Sequence, residues 1–487
     1  MRFILDTNIL IPLEDSQRPL EPSLANFVRL ANENGHVLLY HPASEEDIKQ
    51  DNNADRRTQT LSRLSQYTRL ESLPTCPWNT ADTDRNDAAD NEILHAIFLN
   101  AAHGLVTEDR GIHKKAKEHG LLERVYTIQT AEDLLRRLHG RVSVQLPNIE
   151  NVPLFSLSSL LGDQFFNSLR EGYKNFDNWF REKAKEGRKA WVNWESSGVL
   201  GGICIYTQQH DERITDEIML EGPALKLATF KVGENSRGKK IGELFLKAAF
   251  LYATKNRLEN IFIHGDSDRH HFLFEMLEDF GFKRVGFDPG SQGRDAVYLK
   301  RHPVNPPQEE LPSFDYLRFY FPHFRHDENV EKFIVPIKPG YHQILFIDYP
   351  GQQMNIFSSQ SSVGNAIKMA YLCHAPTKKI RPGDIVLFYR SGDEQAITSI
   401  GIVESYETLS VAEDIVSRVK RRTVYSMPEI KLMAEKPTRV MLFRLVKHLS
   451  TPLPQEWLEQ QGVLKGAPQS ITKISHQSFE RVLSHEN

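Results

Sequence analysis

Short apolar runs alternate with amphipathic stretches through the first third of this 487-residue chain. Phe3-Ile4-Leu5, Val37 to Tyr40, Leu105-Val106-Thr107 and Val125 to Ile128 have the length and apolar character of buried strands. Asn91 to Ala102 and Ala131 to Leu138 carry apolar residues at helical spacing. Strand and helix in alternation predict a parallel sheet covered on both faces. The next stretch opens with helices around Leu160 to Lys185, then strands at Ala190 to Trp194, Gly202 to Tyr206 and Leu225 to Val232. A helix at Ile241 to Thr254, a strand at Ile261 to His264, a helix at Phe272 to Phe280 and a strand at Ala296 to Leu299 complete a mixed α+β layout. The last third is strand-rich: Gln343 to Asp348, Ile385 to Tyr389, Ile397 to Ser405 and Arg439 to Val446, with turns at Pro339-Gly340 and Pro382-Gly383.

Two segments break this patterning, Gly140 to Pro153 and Arg301 to Ser313. The second is proline-rich, polar and acidic, which marks a linker. The expected domains are therefore 1–140, 150–301 and 314–487. Three domains also suit a chain too long for one hydrophobic core.

A formal net charge of −4 gives no global attraction to nucleic acid, so phosphate contact has to come from local clefts. Three cysteines, Cys76, Cys204 and Cys373, lie far apart without a CxxC pair. This excludes a disulfide framework and a thiolate zinc site, and fits a reducing compartment. Asp6 and Asn8 interrupt the N-terminal apolar run, and no stretch is long enough to span a bilayer, so a cytoplasmic, membrane-free protein is expected.

The candidate chemistry of the first block is acidic. In open parallel sheets, ligands bind beyond the carboxyl ends of the strands. Asp6 ends the first strand, and Glu108 and Asp109 follow Leu105-Val106-Thr107. Asp87 and Asp90, three apart, share a helix face ahead of the apolar stripe Ile93, Leu94, Ile97 and Phe98, while Asp47 and Asp51 share a face of the helix after the second strand. Converging carboxylates repel one another unless a hard cation joins them, and Mg²⁺ or Mn²⁺ prefers such oxygen ligands. Each acid alone has a plainer reading: Asp87 or Asp90 as a helix cap, Asp47 as solvated surface, Asp109 as a turn residue.

Taken together, LDTNIL, DAADNEILHA and LVTEDRGIHKKA resemble the PIN-domain family over nearly all of the first block. The resemblance implies a Mg²⁺- or Mn²⁺-dependent ribonuclease. It places catalytic acids at Asp6, Asp47, Asp90 and Asp109, of which Asp6, Asp90 and Asp109 would hold metal, with Asn8, Thr107 and Glu108 close by. The second acid is read as Asp47 with Glu46 and Asp51 as alternates, and Asp87 is an alternate for Asp90.

In the middle block, Asn235-Ser236-Arg237-Gly238-Lys239-Lys240-Ile241-Gly242 forms a glycine-bearing turn that opens a helix, a setting that holds phosphate on backbone N–H groups. With FEMLEDFGFKRVGF at Phe274 to Phe287, the block resembles the GNAT acyltransferase fold from about Leu157 to Lys300. That implies acetyl-CoA on Arg237, Gly238, Lys239, Lys240, Ile241 and Gly242. Lys240 stands where the family has its middle glycine, and Leu277 where a tyrosine general acid is often found. Tyr298, Glu217 and His264 are further candidates without supporting spacing. His270-His271 is a poor chelate, because adjacent helical residues face different directions.

In the last block, Lys379 to Tyr389 leads through Pro382-Gly383-Asp384 into an apolar strand, resembling a PUA-like barrel of the ASCH or EVE sort. This implies contact with RNA or modified bases. Arg418, Lys420, Arg421 and Arg422 are candidates for phosphate, and Tyr389, Tyr371 and Phe388 for stacking, with Phe388 also readable as core.

The sequence thus reads as a multidomain α/β and α+β chain: an N-terminal PIN-like parallel sheet sandwich, a central GNAT-like mixed sheet and a C-terminal PUA-like β-barrel. The function it implies is endoribonuclease, acting on tRNA or mRNA, by resemblance a toxin of a toxin–antitoxin or stress system. An antitoxin-type protein and a second copy of the chain are the implied partners. The alternatives are an N-acetyltransferase acting on an RNA-linked or protein amine, and a non-catalytic RNA-binding scaffold.

Overall fold

The computed structural model describes residues 1–15, 20–71, 73–80, 84–139, 149–195, 198–346, 349, 366–419, 422 and 424–486. It divides into two compact units. Unit 1 comprises Met1–Val142 and Thr408–Val440; unit 2 comprises Ser143–Glu407 and Met441–Asn487. Among the described residues, no helix is long and apolar enough to cross a membrane.

Unit 1 contains β1 (Arg2–Leu5), α1 (Thr7–Glu14), α2 (Pro22–Glu33), β2 (Val37–Tyr40), α3 (Pro42–Ile48), α4 (Ala54–Arg63), β3 (Thr68–Arg69), α5 (Arg85–Phe98), β4 (Gly104–Val106), α6 (Arg110–Glu118), β5 (Val125–Tyr126) and α7 (Ile128–His139). All its strand pairs are parallel, in the order β3-β2-β1-β4-β5. Alternation sends Phe3 to one face, edge-on to Phe27 of α2, and Ile4 to the other, among Ile93, Ile97 and Ile112 of α5 and α6. The chain steps from β1 to β2 and β3 on one side, then crosses to β4 and β5 on the other. The reversal leaves a crevice at the carboxyl ends of β1 and β4.

Several expected boundaries move. Val125 to Ile128 is a strand only as far as Tyr126, and Ile128 already starts α7. Helix α5 begins at Arg85 rather than near Asn91, because Asp84 accepts the Asp87 backbone N–H as its cap. Helix α3 ends at Ile48, so Asp47 and Asp51 do not share a helix face.

Unit 2 opens with β6 (Ile149–Pro153), α8 (Asn167–Gly172), α9 (Phe176–Lys185), β7 (Lys189–Trp194), β8 (Leu200–Arg213), β9 (Met219–Val232), α10 (Ile241–Lys255), β10 (Asn260–Asp266), α11 (His271–Asp279), β11 (Lys283–Phe287) and β12 (Asp295–Arg301). The end of the expected first linker is in fact strand β6, at the edge of a seven-stranded sheet of order β11-β12-β10-β9-β8-β7-β6. Only β9 and β10 run parallel there, and they pair over four residues, Asn260↔Ala224 to Ile263↔Leu227. Beyond that register β9 stays with β8 as far as Val232, while β10 stays with β12 through Asp266. The two strands therefore splay into a V.

The chain continues through α12 (Ser313–Tyr320), β13 (Lys332–Ile337), α13 (Pro339–Leu345), β14 (Lys368–Cys373), β15 (Ile385–Arg390), β16 (Ala396–Leu409), α14 (Ala412–Val419), α15 (Met427–Ala434), β17 (Thr438–Pro454), α16 (Gln455–Gln460), β18 (Thr472–Ile474) and α17 (His476–Glu486). A mixed six-stranded sheet runs β14-β17-β16-β15-β13-β18. Pairing that would close it into the expected barrel is not seen among the described residues. The strand expected at Gln343 to Asp348 is a correction: Pro339 at the first helical turn starts α13, which takes in Gln343, Ile344 and Leu345; 347 and 348 lie outside the described residues.

Helices α14 and α15 lie between β16 and β17 in sequence yet belong to unit 1, where Arg422 sits 3.8 Å from Glu123. In unit 2, nearly fully buried Arg444 of β17 donates to the Asp279 carboxylate (2.8 Å) and carbonyl (2.9 Å) at the end of α11, and Lys368 of β14 pairs with the same carboxylate.

Candidate functional site

Asp6 leaves β1 at the crevice and is 5% exposed. Its carboxylate accepts from the Thr7 backbone N–H (2.7 Å), Asn8 Nδ2 (2.7 Å) and Thr107 Oγ1 (2.6 Å). Thr107 follows the last residue of β4, and its hydroxyl also accepts the Asp109 N–H at 2.9 Å, so one hydroxyl joins the ends of β1 and β4. Asp109 caps α6 through the N–H groups of Gly111 and Ile112. The plain reading of Asp109 as a turn and cap residue is therefore seen, with both capping bonds made by Oδ1. Glu108 turns away and accepts the Ile128 N–H at 2.7 Å, capping α7.

The electrostatics show which acids share the space. Burial pushes the Asp6 carboxyl up to about 6 against the pull of its hydrogen bonds, and Asp109 and Asp47 add to the rise. Burial also raises Asp90, to about 7; Lys115 opposes the shift, while Asp109 and Asp6 reinforce it. Asp47 is raised by burial, with Arg85 pulling it back. Asp6 thus senses Asp109 and Asp47, and Asp90 senses Asp109 and Asp6.

The alternates do not join them. Glu46 is exposed and pairs with Lys49 at 2.6 Å. Asp51 is gripped by both Nε and Nη2 of Arg56, whose hydrogen bonds pull its carboxyl down to about 2. Asp87 is mostly exposed and holds Lys115 at 3.0 Å, whereas the Asp90 carboxylate is one-quarter exposed and lies 3.4 Å from the same ammonium. A cleft of about 380 Å³ opens beside Asp47; Asp51 and its partner Arg56 line it too, with Asn52, Arg85 and Asn86. Sequence reasoning did not single out Lys115 or Arg85; their only signal was position, one on the helix that Asp109 caps and the other at the start of α5.

Among the described residues, no group of three His, Cys, Asp or Glu side chains is placed to hold a metal ion. That spacing is wrong for a tetrahedral zinc site. Mg²⁺ asks the least of such a set, since it keeps several waters and uses one or two carboxylates directly. The side chains concerned carry oxygen donors, and burial is the main reason that Asp6 and Asp90 hold their protons more tightly than usual.

In unit 2 the glycine-bearing turn sits at the open end of the V. Lys240 has φ +63° and Gly238 φ +81°, and no side chain of the N-cap residue caps α10. Arg237 and Lys239 are exposed beside them. Lys240 is committed elsewhere: its ammonium lies 2.6 Å from Glu243, and both side chains are 11% exposed. Ile241 is buried core, leaving only its backbone for a ligand. Gly242 is where α10 approaches α11, since a Cβ there would lie 3.1 Å from Met276 Sδ. Leu277 is fully buried and Tyr298 stacks on Phe274 at 4.3 Å, so both are packing residues. Glu217 is exposed on the β8–β9 turn, and His271 pairs with Glu275 at 3.3 Å.

The nucleic-acid candidates of the last block fare worse. Phe388 and Tyr389 are buried and offer no stacking face, whereas Tyr371 is half-buried and donates its hydroxyl to the Pro336 carbonyl at 2.6 Å. Arg422 is buried against Glu123; Lys420 and Arg421 lie outside the described residues.

Residues 370–485 match the family model of the EVE domain, a PUA-like module. Among solved structures, ASCH from Zymomonas mobilis is similar at 12% identity, over 31% of this chain and 94% of that one, with a TM-score of 0.25. A putative acetyltransferase of the GNAT family from Desulfovibrio desulfuricans is similar at 12% identity over 32% and 100%, TM-score 0.26. PaiA N-acetyltransferase from Thermoplasma acidophilum, in complex with coenzyme A, is similar at 17% identity over 32% and 99%, TM-score 0.24. Comparison with curated proteins finds none that matches.

Proposed function

We propose that unit 1 is a metal-dependent endoribonuclease of the PIN type. The observation that carries the reading is the gathering of Asp6, Asp47, Asp90 and Asp109 at the switch point of an all-parallel sheet, with Asp6 and Asp90 raised to about 6 and about 7. Asp6, Asp90 and Asp109 would hold Mg²⁺ or Mn²⁺, which when bound supplies an activated water and neutralises charge on the phosphodiester. The chain's own groups do the positioning. Thr107 and Asn8 fix the Asp6 carboxylate, and Lys115 and Arg85 bring positive charge to the rim of an acidic crevice where a phosphate backbone has to enter. RNA is favoured over DNA by the EVE domain, whose PUA-like relatives contact RNA, and fusion raises the nuclease's effective concentration on a bound strand. The test is a 5′-labelled single-stranded RNA incubated with full-length protein. Cleavage that needs Mn²⁺ or Mg²⁺, stops with EDTA and falls at least ~10³-fold in Asp6→Asn supports the reading; metal-independent or absent cleavage ends it.

A second activity, acyl transfer from acetyl-CoA by unit 2, is favoured by the splayed β9 and β10 and the N-terminus of α10 beside Arg237 and Lys239. Thermal stabilisation by acetyl-CoA that disappears in Arg237→Glu would support it, and no stabilisation would remove it.

A further inference from the structure

An imidazole and a carboxylate stand together at the closed end of the V, and neither the nuclease reading nor the coenzyme turn uses them. β10 loses its β9 partner after Ile263, and His264 is the next residue. Ile261 and Ile263 point into the core under α10 and α11. Alternation therefore places His264 on the opposite face, with Phe262. Its Nδ1 lies 3.1 Å from Asp288 Oδ1, and each side chain is about one-quarter exposed. The imidazole, assisted by Lys226, holds the Asp288 carboxyl below its usual range. Lys226 reaches this side from β9 and in turn lies 3.6 Å from Glu212 of β8. Nδ1 thus faces the Asp288 carboxylate at ion-pair distance, without an aligned hydrogen bond in this structure, and Nε2 is the ring nitrogen left for proton transfer.

The edge of β9 from Ala228 to Val232 faces the gap without a β10 partner. Such an edge offers backbone N–H and C=O groups to an extended ligand. A ligand whose phosphates rest at the α10 turn and whose chain follows this edge brings its far end to His264.

We propose that His264 is the proton acceptor for acyl transfer from a thioester to an amine, with Asp288 as the positioning residue that fixes the ring through Nδ1. The proposal rests on the acyl-transfer reading of unit 2. The amine nitrogen attacks the thioester carbonyl carbon; a C–N bond forms and the C–S bond breaks. Nε2 of His264 takes the proton lost by the nitrogen, and the departing thiolate regains a proton to leave as free thiol. No oxidant or reductant takes part.

The experiment uses the full chain and three readouts. Acetyl-CoA binding is read as thermal stabilisation. Carbethoxylation of His264 by diethyl pyrocarbonate is read by peptide mass spectrometry, with exposed His210 as the internal reference. Free thiol is followed with acetyl-CoA plus spermidine, ethanolamine or a lysine-rich peptide. The expected result is that acetyl-CoA stabilises the protein and slows His264 modification at least ~3-fold without affecting His210. His264→Gln keeps the stabilisation, which shows it folded, but loses amine-dependent thiol release by about 100-fold. Asp288→Asn lowers kcat about 10-fold at unchanged KM, and Asp288→Glu recovers part of it. If acetyl-CoA gives no stabilisation, the acyl-transfer reading itself fails. If it binds without protecting His264, or if His264→Gln turns over like the parent, or if the protected protein releases no thiol with any of the three amines, the dyad has no role in transfer and the proposal is overturned.

Discussion

Replacing Asp6 by asparagine should stabilise unit 1 while destroying its activity. The Asp6 carboxyl is 5% exposed and raised from 3.8 to about 6 in the folded chain, with burial as the main cause. The folded state therefore holds its proton more tightly than the unfolded state does. Below pH 4 both states are protonated and the carboxyl costs nothing. As pH rises from about 4 through about 6 the folded state has to carry a buried anion, and stability falls. A shift of about two units at 1.36 kcal/mol each sets a ceiling of about 3 kcal/mol at pH 8. The Asp6→Asn amide removes that charge. It also turns an NH₂ toward Asn8 Nδ2, which now donates to Oδ2 at 2.7 Å; the lost bond returns about 1 kcal/mol. The net expectation is a gain of about 1–2 kcal/mol at pH 8, or roughly 3–6 °C for a unit of this size. The gain shrinks to nothing, or reverses, near pH 4. Asp90, raised to about 7, carries the same sign. Calorimetric melts of the full chain in EDTA at pH 4, 6 and 8 measure this directly. Mn²⁺ should then raise the parent's transition but not the variant's. A variant no more stable than the parent at pH 8, or a difference that does not vary with pH, would refute the argument that these carboxylates pay a burial cost for a cation.

Asp279→Ala leaves Arg444 and Lys368 without their shared carboxylate; because Asp279 is itself 38% exposed, the expected loss is about 2 kcal/mol rather than the 3–5 of a fully buried pair, read by urea unfolding of unit 2. Gly281→Ala puts a Cβ at φ +86° into the Arg318 carbonyl oxygen and should cost about 3 kcal/mol in the same measurement. Asp51→Asn should lower stability through Arg56 yet leave metal-dependent cleavage within about 2-fold, because its carboxylate is turned to the guanidinium. Overproduction of the full chain should arrest growth of the host cell, and Asp6→Asn should relieve the arrest; equal arrest by both would separate toxicity from cleavage.

Asp6 and Asp109 stood out in the sequence because each lies just past a short apolar strand, and the carboxyl ends of parallel strands are where ligands gather. Choosing Asp47 over Asp51 was not settled by spacing: i, i+4 on a continued helix puts them on one face, but α3 stops at Ile48, and Arg56 then captures Asp51. Likewise Asp87 and Asp90 differ by which one Lys115 leaves inside the crevice, a fact about α6 packing on α5. Strand β6 was hidden by its edge position, where Glu150 and Asn151 break the apolar signal. Strand β13 carries Pro336 and Lys332 within a buried run, which dilutes it. Gln343 to Asp348 misled in the other direction, since a short apolar run has no period of its own and Pro339 decided for helix. The membership of α14 and α15 in unit 1 has no local sequence signature at all, because it is set by packing on residues nearly three hundred positions away. The same packing buries Arg422, whose basic neighbourhood looked in sequence like a solvated phosphate tract.

The central claim is that four particular acids, and not their neighbours, form one phosphodiesterase centre. Its most direct test is cleavage of total cellular RNA by the full chain with Mn²⁺, comparing Asp6→Asn, Asp47→Asn, Asp90→Asn and Asp109→Asn with Glu46→Gln, Asp51→Asn and Asp87→Asn, each shown folded by its melt. The account predicts discrete fragments from the parent and from the second set, and a loss of about 100-fold or more from every member of the first. Intact RNA with the parent, or losses spread evenly over both sets, would contradict it.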